Sequence, residues 1–249
     1  MQQVGGPLRS REARSRGGIV HIPDGFIGAG TSAVAGVVSA GGIGICLKKA
    51  SDTMEEKQAP LAGLVAAFVF AVQMLNFPVA LGTSGHLLGG VLATVLVGPW
   101  AGAICIALVL FVQALFFADG GLSALGLNIL NMALIGGLGG YAAFVAVRGV
   151  LPKTRPMVVV ASAIAAFLSV VMASIGFFVE YAIGGVGDVS LRAMFAAMVG
   201  IHALIGVGEA AITALTVSTV LAVRPDLVYG ARDLMQPLEL RPASSTPGR

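Results

Sequence analysis

The chain is expected to be an all-α integral membrane protein with about seven transmembrane helical segments. Three observations lead there. Hydrophobic residues fill 57% of its 249 positions and charged residues only 11%, less than half the roughly 25% charge of a soluble domain. Mean hydropathy is +0.93. The apolar residues run in long tracts divided by short charged or Gly/Pro-broken connectors, and in lipid only helices and closed barrels satisfy every backbone polar group.

Residues 1–19 differ from all that follows. Arg9, Arg11, Arg14 and Arg16 stand among glycines without apolar periodicity, which predicts a disordered basic extension. No apolar core of about 7 to 15 residues follows it before His21, so it does not read as a signal peptide. A membrane domain is expected over 20–224 and a cytoplasmic tail over 225–249. Its spans are read at about 28–47, 60–77, 86–97, 100–118, 126–147, 156–183 and 194–223, each bounded by charge, Gly or Pro.

The connectors after the first and fifth spans hold Lys48, Lys49, Lys57, Arg148, Lys153 and Arg155, and the tail holds Arg224, Arg232, Arg241 and Arg249. These should face the cytoplasm by the positive-inside rule. The opposite connectors carry Asp24, Asp119 and Asp188 against Arg192, which places the amino-terminal loop outside. The four arginines of 1–19 contradict that orientation if those residues belong to the mature chain. A charge of +3 arises from orientation signals rather than from a nucleic-acid surface, and no nucleic-acid partner is expected. Cys46 and Cys105 lie in apolar tracts without CxxC spacing and read as small buried hydrophobes.

The third segment is too short to span: about 12 residues from His86 reach about 18 Å. The preceding stretch from Asn76 to Gly85, broken by Pro78, Gly82 and Gly85, is expected to fill the remaining depth as a re-entrant loop, a device that marks binding sites in transporters. Gly36, Ala40 and Gly44 form a small-residue face on the first span suited to close helix contact. The run GGLGG at 136–140 is read as packing rather than a nucleotide loop.

Chemistry concentrates in few residues. The chain has three histidines, and His21 and His86 sit in helix-breaking stretches, where neutral imidazole suits Ni, Co, Cu or Zn. Were the chain to begin at Val20, its terminal amine, the His21 amide nitrogen and the His21 imidazole could close adjacent chelate rings, with His86 as a fourth nitrogen. A planar four-nitrogen set favours Ni(II) or Cu(II). The plainer alternative makes His21 an interfacial residue and His86 a capped helix start. His202 and Glu209 share a face of the last span, as groups supporting the metal ligands, as a proton-linked gate, or as structural contacts. Asn128 and Asn131 suit interhelical hydrogen bonds. Asp24 suits a turn that fixes its loop, or support for His21, and Glu180 is expected at the interface. No GxxxxGK[ST], HExxH or GxSxG occurs, so the chain is not expected to bind ATP or to be an enzyme.

The segments IVHIPDGFI at 19–27, QMLNFPVALGTSGHLLGG at 73–90, GPWAGA at 98–103, FADGGLSALGLNILNM at 117–132 and HALIGVGEA at 202–210 closely resemble the NikM/CbiM family. Its members are the substrate-binding components of nickel and cobalt energy-coupling factor (ECF) transporters. The resemblance runs from about Val20 to Tyr229. It implies a multi-pass protein of the bacterial inner membrane, amino terminus outside and carboxy terminus inside. The partners it implies are a transmembrane coupling subunit, a pair of cytosolic ATPases and a small membrane accessory subunit. It implies Ni²⁺ or Co²⁺ as substrate, serving cobalamin biosynthesis or nickel enzymes, held by Val20, His21 and His86; Asp24, Asn76, Ser84, Asn128, His202 and Glu209 stand beside that set as candidates, by residue type, for supporting it. The family opens with methionine–histidine, whereas here residues 1–19 would place the Val20 nitrogen in a peptide bond. A misassigned start, with methionine at position 20 from a GTG codon, is expected. Two alternatives stand beside this reading: a self-contained proton-coupled carrier working through His202 and Glu209, and an accessory protein that binds no metal.

Overall fold

The computed structural model describes residues 21–54, 58–74, 76–78 and 84–235, without the side chains of 76–78, 84 and 85. The expectations for 1–19, Val20, the centre of the loop at 79–83 and the tail beyond 235, and those for the Asn76 and Ser84 side chains, lie outside the described residues.

The described chain is predominantly helical: α1 (Ala29–Thr53), α2 (Ala59–Gln73), α3 (Gly90–Val97), α4 (Pro99–Phe116), α5 (Leu125–Ile129), α6 (Gly140–Val150), α7 (Arg155–Gly184) and α8 (Leu191–Val223). A π-helical stretch, Leu130–Gly139, joins α5 to α6 in one continuous helix. Starts follow local chemistry. Prolines occupy the first turns of α2, α4 and α7, where no N–H is needed, and the Ser190 Oγ accepts the Ala193 N–H at the start of α8.

Among the described residues five helices are long and apolar enough to cross a membrane, against the expected seven segments: α1, α4, the continuous Leu125–Val150, α7 and α8. The helix α2 has 15 residues and ends at Gln73, short of the expected Phe77. Beyond it Asn76–Pro78 (β1) pairs antiparallel with Ser84–His86 (β2), in the register Asn76 to His86. The third segment is shorter than expected, because Gly89 adopts a left-handed conformation and helix begins only at Gly90. Eight residues reach about 12 Å.

All eight residues of α3 are buried, and the main core forms around them from Val69, Leu92, Val95, Ile106, Leu110 and Val170. Close approach is achieved with glycine. A Cβ on Gly90 would stand 3.0 Å from the Gly136 carbonyl carbon, and one on Gly140 would stand 2.6 Å from Val91, so the 136–140 glycines admit α3 against the π stretch. Gly36 of the small-residue face packs on Gly126 of α5, and the adjacent Ser39 hydroxyl donates to the Gly126 carbonyl at 2.6 Å. Large apolar side chains on outer helix faces remain exposed, among them Val37, Leu64, Leu108, Ile183, Leu204 and Leu215, as a lipid-facing surface requires.

At the end carrying the basic connectors, two 3₁₀ turns, Pro225–Leu227 and Tyr229–Leu234, return against the bundle. Arg148 anchors them through Asp233 at 2.9 Å. Cys46 and Cys105 are buried free thiols.

Candidate functional site

At the opposite end the loop 21–28, the α4–α5 connector and the α7–α8 connector meet. Gly121 donates to the Ile22 carbonyl at 2.9 Å, Gly28 to Gly184 at 2.7 Å, and Val186 to Phe26 at 3.0 Å. These bonds sew the amino-terminal loop to two connectors. Phe26 stacks on Phe177 and packs on Tyr181 beneath it, supplying apolar area that hydrogen bonds alone would not provide.

His21 and His86 come together there. Their ring centroids lie 4.5 Å apart, with planes inclined at 50°, and both residues are buried. The His86 Nδ1 stands 2.8 Å from the Leu87 carbonyl. A carbonyl can only accept, so Nδ1 carries the proton and Nε2 keeps the lone pair that a metal would use. The His21 Nδ1 lies 3.2 Å from Asp119 Oδ1. The backbone beside this pair is specialised: Gly120 has φ +95°, and a Cβ there would stand 2.7 Å from the Cβ of His21.

The supporting residues act from a distance in sequence. Asn128 grips the Ile22 backbone twice, its Oδ1 accepting the Ile22 N–H at 3.1 Å and its Nδ2 donating to the Ile22 carbonyl at 3.4 Å. Asp24 accepts from both the hydroxyl (2.5 Å) and the N–H (2.8 Å) of Ser123. That hydroxyl first, then the N–H, holds the Asp24 carboxyl below its ordinary value. Glu209 receives the N–H groups of Leu88 and Gly89. His202 instead bonds within its own helix, to the Met198 carbonyl at 2.7 Å. Asn131 makes an interhelical bond, donating to Glu180 at 2.6 Å. Glu180 is therefore buried beside the π stretch rather than at the interface, because an amide partner is available inside the bundle.

Asp119 was read from the sequence only as a connector charge and not as a neighbour of His21, and the parts of Gln73 and Ser123 were not read at all. An acid followed by two glycines in a connector between apolar spans was the available signal for Asp119. Gln73, an amide at the end of an apolar helix, was the signal for a polar contact to the following loop. Among the described residues, no three His, Cys, Asp or Glu side chains gather as a metal-holding group. A metal at the imidazole pair would therefore need further donors from backbone nitrogen or from residues outside the described set.

The chain matches the model of the family CbiM, described as the cobalt uptake substrate-specific transmembrane region, over residues 21–227. It is 34% identical over 191 residues to the cobalt transport protein CbiM of Sorangium cellulosum, covering 75% of this chain and 81% of that protein. It is 38% identical over 143 residues to the fused nickel transport protein NikMN of Rhodobacter capsulatus, covering 57% of this chain and 41% of that longer protein. The crystal structure of a truncated transition metal transporter shares the fold at TM-score 0.76 and 31% identity, over 82% of this chain and 99% of that one.

Proposed function

The chain belongs to the CbiM family of cobalt and nickel transporters, and from that premise we propose that it captures Ni²⁺ or Co²⁺ at the outer face of a bacterial inner membrane. The observation that carries the reading is the pairing of His21 with His86 where the loop 21–28 and two connectors converge. Imidazole nitrogen suits both metals, which stand next to each other in the affinity order.

The ligand set we propose is the terminal amine of a chain begun at position 20, the His21 amide nitrogen, the His21 imidazole and the His86 imidazole. Ring size requires the His21 imidazole to bind through Nδ1, since only that nitrogen closes a six-membered ring with its own amide. In the structure Nδ1 faces Asp119. Loading therefore exchanges Asp119 for the metal, with the protons of the His21 amide and of Nδ1 released to water, and the carboxylate takes the role of holding the loop's imidazole until cargo arrives.

The chain carries no nucleotide-binding motif. We therefore read it as the substrate-binding subunit of an energy-coupling factor transporter, with release driven by a coupling subunit, cytosolic ATPases and a small accessory subunit. Basic connectors support placing the Arg148 end in the cytoplasm. Both oxygens of Glu209 accept backbone N–H groups, which argues against its service as a free proton gate in a self-contained carrier.

Titration with NiCl₂ and CoCl₂ of the chain begun at Met1, the chain begun with methionine at position 20, and His86→Ala tests this directly. The short form should bind tightest, and His86→Ala should lose high-affinity binding while remaining folded. Equal affinity in all three would remove the proposed ligand set, and absence of binding in both unmutated forms would remove the transport reading.

A further inference from the structure

Two consecutive peptide units beside His86 are held on both edges. The Leu87–Leu88 peptide accepts the His86 Nδ1–H on its carbonyl at 2.8 Å and donates its N–H, that of Leu88, to Glu209 Oε2 at 2.9 Å. The next peptide accepts the Gln73 Nε2–H on the Leu88 carbonyl at 2.7 Å and donates the Gly89 N–H to Glu209 Oε1 at 2.6 Å. Gly89, with φ +70°, turns its N–H toward the same carboxylate as its neighbour, the arrangement of a backbone anion nest.

We propose that Glu209 is a positioning residue for the metal site, acting on the His86 imidazole through the Leu87–Leu88 peptide. The proposal rests on the reading of His86 as a metal ligand. A carboxylate buried at 3% exposure within an apolar helix is costly, and the two N–H groups it receives belong to the N-cap residue of α3 and the residue before it, ahead of the first turn that an ordinary cap would serve. What the carboxylate adds is direction and polarisation. It fixes the plane of the peptide whose carbonyl takes Nδ1–H, and a peptide polarised at its N–H is a stronger acceptor at its oxygen. That keeps the proton on Nδ1 and the lone pair on Nε2. Metal ligands commonly have their second imidazole nitrogen held by a carboxylate or a carbonyl; here the two are joined in series by one peptide.

The experiment uses whichever of the two chains, begun at Met1 or at position 20, binds nickel more tightly, with NiCl₂ as the probe. Glu209→Gln keeps size and polarity but replaces one of the two acceptor oxygens that the Leu88 and Gly89 N–H groups use with a donor. Its nickel affinity should fall about ten- to a hundredfold, and the ligand-field absorption band of the bound nickel should shift, with elution volume and thermal unfolding close to those of the unmutated chain. Affinity within twofold, or lost affinity with an unshifted band, would overturn the proposal, since a merely structural carboxylate would not alter the metal's ligand field.

If Glu209→Gln does not fold, Gly89→Ala reaches the same nest from the backbone. Its Cβ would meet Val69 at 3.0 Å in a left-handed conformation. The same affinity loss and band shift are expected there, and an unchanged band and affinity would overturn the role of Glu209. An unmutated chain that takes no nickel removes the transport reading itself; nickel binding that is equal in variant and parent removes only this inference.

Discussion

Replacing Asn128 with alanine should weaken metal binding without touching a proposed ligand. The side chain supplies two hydrogen bonds to Ile22 from 106 residues away, and both residues are buried. In Asn128→Ala the Ile22 carbonyl keeps the Gly121 N–H, so loss of the longer bond costs little. The Ile22 N–H loses Asn128 Oδ1, and a donor left unsatisfied in a buried place costs about 1–3 kcal/mol. That cost falls on the docked state of the loop that carries His21. If docking and metal binding are linked, affinity drops by the same free energy, roughly 5- to 150-fold. Calorimetric titration with NiCl₂ would give the affinity, and hydrogen exchange over residues 21–28 would report docking. Loss of protection with unchanged affinity would refute the linkage; unchanged protection would refute the clamp. Asn128→Asp, which keeps the acceptor, should lose less than alanine.

Two further outcomes follow from the same geometry. The Asp24 carboxyl is held below its ordinary value of 3.8 by Ser123, so its contribution to docking is fully present above that value and is lost as pH falls through the lower folded value. Hydrogen exchange at Ser123 should accelerate, relative to a disordered reference peptide, only below about pH 4, and Asp24→Ala should remove that pH dependence; a dependence that persists in the variant would point to another group. Single cysteines at Ser51 and Thr154, in a background lacking Cys46 and Cys105, should resist an impermeant thiol reagent in intact cells while one at Val189 reacts. Labelling at Ser51 from outside would reverse the proposed orientation.

Five of the seven expected segments, those that form long apolar helices among the described residues, the break before α3 and the two histidines that pair were legible in the residues. Hydropathy and helix length are local properties, so a run such as Met157–Ile183 declares a span wherever it packs. Gly and Pro declare breaks for the same local reason. The exact start of α3 was not legible, because Gly89 and Gly90 are equally permissive, and only the nest on Glu209 selects Gly89 for the left-handed position. Nor was the depth of Glu180, which depended on finding Asn131 across the bundle.

By itself the sequence determined the solvent, the order of the spans and which few residues were polar enough to do chemistry. The tertiary structure alone decided who meets whom: Asp119 at His21, Asn128 on Ile22, and Glu209 under the peptide beside His86. The physical reason is one of range. Burying an apolar side chain is favourable against almost any apolar neighbour, so it can be read locally, whereas a hydrogen bond in a dry interior demands one partner at one distance and angle, and only the folded chain supplies it.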